Sequence, residues 1–328
     1  MSTRNVELRA SETVAGSRIL GTGSYQPDQV VTNDDLSKVM DTNDEWIRER
    51  VGIVERRKAQ PDEQVVDMAI VAGRRAIADA GLKPSDVDTV IVATCTMPNQ
   101  IPNAAATVAD RVGVKGGGAF DLNAACAGFC YALGTASDLV KAGSAKRVLV
   151  VGAERFQDWV DPVDRANAII FADGAGAAVV GPAEEAGIGP ISWGSAGDLA
   201  DMIYMREKKY IYQEGQSVFR WATTQVAPVA MRALELAGLK ASDVDVLIPH
   251  QANLRIVNSI AKKLISAGAR PDLEVADDIT YSGNTSSASI PMALDHMRAA
   301  GRVRRGDVLL FVGFGAGLSY AAQVVLSP

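Results

Sequence analysis

The sequence predicts an α/β protein made of two duplicated halves, on a repeated segment, an alternation of helical and strand patterns, and a composition rich enough for a large core. The segment Ala80-Gly-Leu-Lys-Pro-Ser-Asp-Val-Asp88 returns as Ala237-Gly-Leu-Lys-Ala-Ser-Asp-Val-Asp245, an offset of 157 residues. Each copy follows a helical stretch, Met68 to Ala80 or Val226 to Leu236, and runs into an apolar strand, Thr89 to Ala93 or Val246 to Ile248. Further along, Lys141-Ala-Gly143 before the strand Val148 to Val151 answers Ala299-Ala-Gly301 before the strand Val308 to Val312, at an offset of 158. Self-similarity over such a period marks a duplicated unit. The alternation within each half implies two mixed sheets packed through shared helices in one body. The expected boundaries are a mobile tail over 1–17, a first half over 18–182 and a second over 183–328, joined where Pro and Gly cluster between Gly181 and Ile191.

The chain has 328 residues, 48% of them hydrophobic and 22% charged, with 30 Gly, the composition of a globular protein. Met1 to Ser17 contains no apolar run resembling a signal peptide or a membrane span, so a cytoplasmic protein with no membrane partner is expected. Three cysteines are too few for a disulfide framework, and His250 and His296 lie far from any metal-ligand spacing with them; no metal is expected. A formal charge of −6 argues against a nucleic-acid partner.

Asp121-Leu-Asn-Ala-Ala-Cys126-Ala-Gly-Phe-Cys130 leaves a short strand and enters a helix of small residues. A cysteine at a helix N-terminus feels the positive end of the dipole, which lowers its pKa and raises its nucleophilicity. From this motif alone a core thiol and a nucleophile are equally compatible. The repeat favours the second, because an offset of 158 carries Cys126 onto Asn284 in Tyr281-Ser-Gly-Asn284-Thr-Ser-Ser, and His250 in Pro249-His250-Gln-Ala-Asn253 ends a strand aimed at the same centre. Alone, His250 reads as a structural histidine and Asn284 as a turn residue; together with Cys126 they read as a catalytic set. Cys130 and Cys95 are expected in the core, and His296 in solvent.

On these three motifs the chain resembles the ketoacyl-ACP synthase III family of the thiolase superfamily, including actinobacterial members that prime polyketides. The resemblance runs from about Ile19 to Val325 and includes Asp44-Glu-Trp-Ile-Arg48, Asp164-Arg165, Asp173-Gly-Ala-Gly176 and Phe314-Gly-Ala-Gly317. It implies a five-layered αβαβα sandwich acting as a homodimer, with acyl-CoA and malonyl-acyl carrier protein as substrates and no cofactor. Cys126 would take the acyl group, and His250 and Asn284 would bind the malonyl thioester carbonyl. The backbone N–H groups of Cys126 and Ala316 would form the oxyanion hole. Trp46 and Arg165 would clamp the adenine of coenzyme A, and Asn253 would touch its pantetheine arm. Ile101, Phe156, Phe171 and Phe314 would shape the acyl pocket, with Ile101 acting across the dimer interface in place of a bulkier aromatic. Arg220, Arg255, Lys262 and Lys263 would dock the acidic carrier protein.

The implied reaction is a decarboxylating condensation that starts fatty acid or polyketide synthesis. An acyltransferase of the same fold is the alternative; it forms no enolate, which the intact Asn284 disfavours. A non-catalytic partner subunit is a further one, disfavoured by the intact Cys126. Acetoacetyl or hydroxymethylglutaryl chemistry ranks below both.

Overall fold

Ten strands in two sheets form the frame of the computed structural model, which describes residues 11–207 and 209–328. In the first sheet β1 (Gly16–Tyr25), β2 (Thr89–Ala93), β3 (Gly118–Leu122), β4 (Val148–Arg155) and β5 (Asp173–Ala183) lie in the order β1-β5-β4-β2-β3. In the second, β6 (Ser192–Ser195), β7 (Val246–Pro249), β8 (Glu274–Val275), β9 (Val308–Gly315) and β10 (Ser319–Leu326) lie in the order β6-β10-β9-β7-β8. The two orders are the same topology repeated. β2 runs parallel to β3 and β4 while β5 and β1 are antiparallel additions; β7 runs parallel to β8 and β9 while β10 and β6 are antiparallel additions.

Six helices complete five layers: α1 (Val65–Asp79), α2 (Ala104–Val112), α3 (Gly128–Lys141), α4 (Gly215–Leu236), α5 (Leu254–Ser266) and α6 (Ser289–Ala299). The two-residue period of a strand sorts side chains between layers. Val90, Val92, Leu149 and Val151 face outward onto Met68, Ala72 and Ala76 of α1 and Val108 of α2. Their neighbours Ile91 and Val150 face inward onto Phe129 and Leu133 of α3 and Leu294 and Met297 of α6. Ile248 and Phe311 of the second sheet close on the same central helices, and Leu247, Leu310 and Val312 turn outward to Ala230, Leu234, Ile260 and Leu264 of α4 and α5. Both faces of both sheets are thus covered, which is why the central strands read as unbroken apolar runs.

Two expectations shift. β1 begins at Gly16, Ser17 is buried with its Oγ 2.8 Å from Ser137 Oγ, and the Val14 N–H donates to Lys141 O at 3.1 Å. Residues 14–17 therefore belong to the folded body and not to the expected tail; Met1–Ala10 lie outside the described residues. Small and polar residues open this strand, so it carries no apolar signal. α4 starts at Gly215 and continues through Pro228, well before the Val226 at which the apolar pattern becomes regular. Among the described residues no helix is long and apolar enough to cross a membrane.

The halves meet through glycines that allow backbone to approach backbone. A Cβ on Gly152 of β4 would fall 2.4 Å from Ser287 O, and one on Gly313 of β9 would fall 3.0 Å from Ala127 Cα. Gly152→Ala is expected to lower unfolding stability by about 1–3 kcal/mol or more, read as a shifted urea midpoint; an unchanged midpoint would contradict this contact.

Candidate active site

Cys126 sits in a short 3-10 turn, Ala125–Ala127, that leads into α3. Asn123 shapes the approach: its Oδ1 accepts the Ala125 N–H at 3.1 Å, and Ala125 takes a left-handed φ of 46°. The second half repeats the device before α6. Asn284 Oδ1 accepts the Ser286 N–H at 2.8 Å, Ser286 has φ 51°, and the turn Ser286–Ala288 follows. The structural counterpart of Asn284 is therefore Asn123, and that of Cys126 is Ser287, at an offset of 161. The pairing of Cys126 with Asn284 at 158 is corrected on this point. α3 has 14 residues and α6 has 11, so an offset measured at the helix ends is three short at their beginnings.

Cys126, His250 and Asn284 nevertheless line one cavity of about 610 Å³. His250 follows β7 and is held by its backbone N–H to Val312 O at 2.8 Å. Asn284 is fixed by its N–H to Ile170 O at 3.0 Å and by the Ala172 N–H to its own carbonyl at 2.9 Å. Gly315, at the end of β9, lies against Cys126, where a Cβ would be 2.8 Å from the Cys126 Cβ and backbone N. Ala316 follows it on the cavity wall.

Burial sets the protonation states. It pushes the Cys126 thiol up to about 12, against a hydrogen bond from Ser286 that favours the thiolate and with a small added push from the Glu154 charge. Desolvation thus works against the lowering expected from the helix N-terminus at a thiol that is itself half-buried. Burial also pulls His250 down to about 3. Its Nδ1 lies 2.7 Å from Ser289 Oγ, and that oxygen accepts the Gln251 N–H at 3.3 Å. The hydroxyl proton is then free to point at Nδ1, which leaves the imidazole proton on Nε2. Asn284 has spent its Oδ1 on Ser286, so Nδ2 is its free donor. Two neutral N–H donors result.

The remaining expected residues fall into groups. Phe156 and Phe171 stack at 4.5 Å and 15°, and Phe314 meets the His250 ring edge-on at 5.3 Å; all three line the cavity. Ile101 is 89% exposed and away from the cavity of its own chain. Arg165 lies on the Trp46 ring at 4.4 Å and donates to Asp41 O, so the pair touches itself and leaves no gap for an adenine. Asn253 lines the cavity and caps α5 through Oδ1 while Nδ2 donates to Arg50 O. Arg220 and Arg255 are exposed at the cavity rim, Arg255 over Phe219 at 5.0 Å, and Lys262 and Lys263 are exposed further along α5.

Cys130 is buried in the central core, but Cys95, two residues beyond the end of β2 at Ala93, lines the cavity with its thiol against Glu154. His296 is only half-exposed, with Nδ1 2.7 Å from Asp278 Oδ1, because α6 lies in the middle layer. Sequence reasoning missed Ser289, Ser286 and Glu154, as well as Trp159, Ile203 and Ile211 on the apolar wall. The Ser-rich run after Asn284 was a usable signal; nothing in the ribbon Ile203–Arg206 and Tyr210–Gln213 was.

The family model for 3-oxoacyl-[acyl-carrier-protein] synthase III matches residues 120–197, and that for its C-terminal part matches 234–326. The beta-ketoacyl-[acyl-carrier-protein] synthase III 4 of Streptomyces coelicolor is 50% identical over 317 residues, covering 95% of this chain and 99% of the relative. The chain belongs to the synthase III family. A mycobacterial beta-ketoacyl-[acyl-carrier-protein] synthase III from Mycobacterium avium is 47% identical over 322 residues, covering 94% and 95%. Among solved structures, the priming beta-ketosynthase of the R1128 polyketide biosynthetic pathway superposes with a TM-score of 0.93 at 42% identity, covering 98% of each chain.

The neutral imidazole of this synthase III chain has a signature in stability. His250 is held below its ordinary value of 6.5, so the unfolded chain binds a proton that the folded chain refuses. Its contribution is full above 6.5 and is lost as the pH falls towards about 3. Between pH 7 and pH 5 the wild type should lose about 2 kcal/mol more stability than His250→Asn, measured by urea unfolding; equal losses would contradict a neutral buried imidazole.

Proposed function

We propose that the chain condenses an acyl-CoA primer with malonyl-acyl carrier protein, releasing carbon dioxide and forming a β-ketoacyl-carrier protein that starts a fatty acid or polyketide. The observation that carries this is the convergence of a nucleophilic thiol and two neutral N–H donors on one partly apolar cavity. The Cys126 sulfur attacks the acyl carbonyl, and coenzyme A leaves as a thiol after taking the proton. The negative oxygen of that step would lie against the backbone N–H groups of Cys126 and Ala316, each worth roughly 3–4 kcal/mol in comparable sites.

Malonyl thioester then loses carbon dioxide, and the electron pair left behind becomes an enolate. Asn284 Nδ2 and His250 Nε2 donate to its oxygen. Two uncharged donors suit this step, because a protonated imidazole would add a buried charge that the cavity disfavours. The enolate carbon attacks the acyl-Cys126 carbonyl, the C–S bond breaks, and the departing Cys126 thiolate takes a proton from solvent to restore the thiol. The chemistry uses no cofactor; acyl-CoA is a substrate.

The primer chain would lie between the Phe156–Phe171 stack and the wall of Trp159, Ile203 and Ile211. Arg220 and Arg255, with Lys262 and Lys263 beyond, give the carrier protein a basic rim. Trp46 and Arg165 would have to part, or stack a ring on their outer faces, to hold the adenine. A homodimer is supported by Ile101, whose exposed side chain on the loop before α2 suits burial against a second copy.

Intact mass measured after incubation with acyl-CoAs from acetyl to octanoyl, straight and branched, tests the reading. The expected result is one acyl adduct, absent in Cys126→Ala, that malonyl-carrier protein discharges as β-ketoacyl product. An adduct that cannot be discharged would point to acyl transfer, and no adduct with any thioester would sink the proposal.

A further inference from the structure

Glu154 is a buried carboxylate that the reaction described above does not use. It lies near the inner end of β4, is fully inaccessible, and makes no ion pair among the described residues. Its Oε2 accepts from Thr96 Oγ1 at 2.6 Å, Thr94 Oγ1 at 3.2 Å and the Cys95 N–H at 3.1 Å. Its Oε1 accepts from Ser287 Oγ at 2.6 Å and Ser286 Oγ at 3.3 Å, and the Cys95 thiol lies at 3.5 Å. Burial of so polar a group costs several kcal/mol unless its lone pairs are met. Here every partner comes from two segments only: the end of β2 in the first half, and the turn after Asn284 in the second.

The duplication explains the place it occupies. β4 and β9 correspond at the same offset of 161 that aligns Cys126 with Ser287, which carries Gly152 onto Gly313 and Glu154 onto Gly315. Where the first-half turn finds Gly315 and open room for a thiol, the second-half turn finds a carboxylate that binds it. That turn holds Asn284: the Ser286 N–H donates to Asn284 Oδ1, and the Ser286 hydroxyl stands between Glu154 and the Cys126 thiol.

We infer that Glu154 is a positioning residue for the condensation step, anchoring Ser286 and Ser287 so that the Asn284 carboxamide presents Nδ2 to the malonyl carbonyl beside Cys126. The inference rests on the proposed condensation and adds to it a residue that touches no substrate. Only the second half-reaction needs the Asn284 donor. A merely structural role would instead slow acylation and condensation together.

Glu154→Gln keeps the size of the side chain and places an amide N–H₂ or a neutral oxygen where the carboxylate met its donors. Acylation of Cys126 by the primer acyl-CoA is expected to stay within threefold of wild type, while discharge by malonyl-carrier protein falls at least tenfold. Ser287→Ala, which removes the 2.6 Å donor to Glu154 Oε1, should show the same split, and the double variant should be no slower than the slower single one. Parallel loss of both half-reactions, or unchanged discharge in folded protein, overturns the inference. If Glu154→Gln does not fold, Ser287→Ala, which leaves the carboxylate and its other donors in place, decides by the same two rates. If the wild type takes no acyl group, the proposed condensation fails. Hydrogen exchange then reads the anchoring directly: peptides spanning 284–289 should exchange at least tenfold faster in the variant that folds, with the rest unchanged, and an unaltered rate there overturns it.

Discussion

The approach of two helix-leading turns to the glycines of the opposite half is the contact on which the site depends. Ala127 of the Cys126 turn rests on Gly313 of β9, and Ser287 of the Asn284 turn rests on Gly152 of β4. A methyl group at either glycine would drive the turns outward, and the Cys126 thiol and the Asn284 carboxamide would no longer open onto one cavity. The five layers serve this contact: each sheet is buried on both faces, and the shared central helices α3 and α6 begin where the turns end. Stability and catalysis therefore draw on the same packing.

The second constraint is dielectric. Cys126 is half-buried and His250 buried, which favours a thiol and an uncharged imidazole at neutral pH over a preformed ion pair. That suits the proposed reaction, in which the Cys126 thiol must survive until a thioester enters and the Asn284 and His250 donors must stay neutral beside a departing carboxylate. Hydrogen bonds at the rear of each group, from Ser289 to His250 and from Ser286 to Asn284, determine which atom faces the substrate. The side chains proposed as catalytic are oriented from behind.

Much of this was readable in the residues. The repeated Ala-Gly-Leu-Lys segment announced the two halves because a duplicated strand entry keeps its turn chemistry: Gly81 and Gly238 both take φ near 70°. The apolar runs at Thr89, Val148, Val246 and Val308 marked central strands because burial on both faces removes alternation. The register of the site was misread by three residues, since helix length is set by packing between sheets and no local pattern shows that α6 is shorter than α3. Glu154 was invisible for a related reason. Its partners are 58 to 133 residues away, and a lone glutamate after an apolar strand looks like a solvated end. Ile101 and the Trp46–Arg165 pair were legible only through the family resemblance, and the single chain places them away from the thiol.

The most direct measurement is carbon dioxide release from malonyl-carrier protein by acylated enzyme, comparing the wild type with Asn284→Ala at matched occupancy of Cys126. Loss of the donor should leave acylation near wild type and cut carbon dioxide release by about a hundredfold. Release at the wild-type rate from a folded, fully acylated variant would contradict the assignment of Asn284 to the enolate, and with it the condensing role of the cavity.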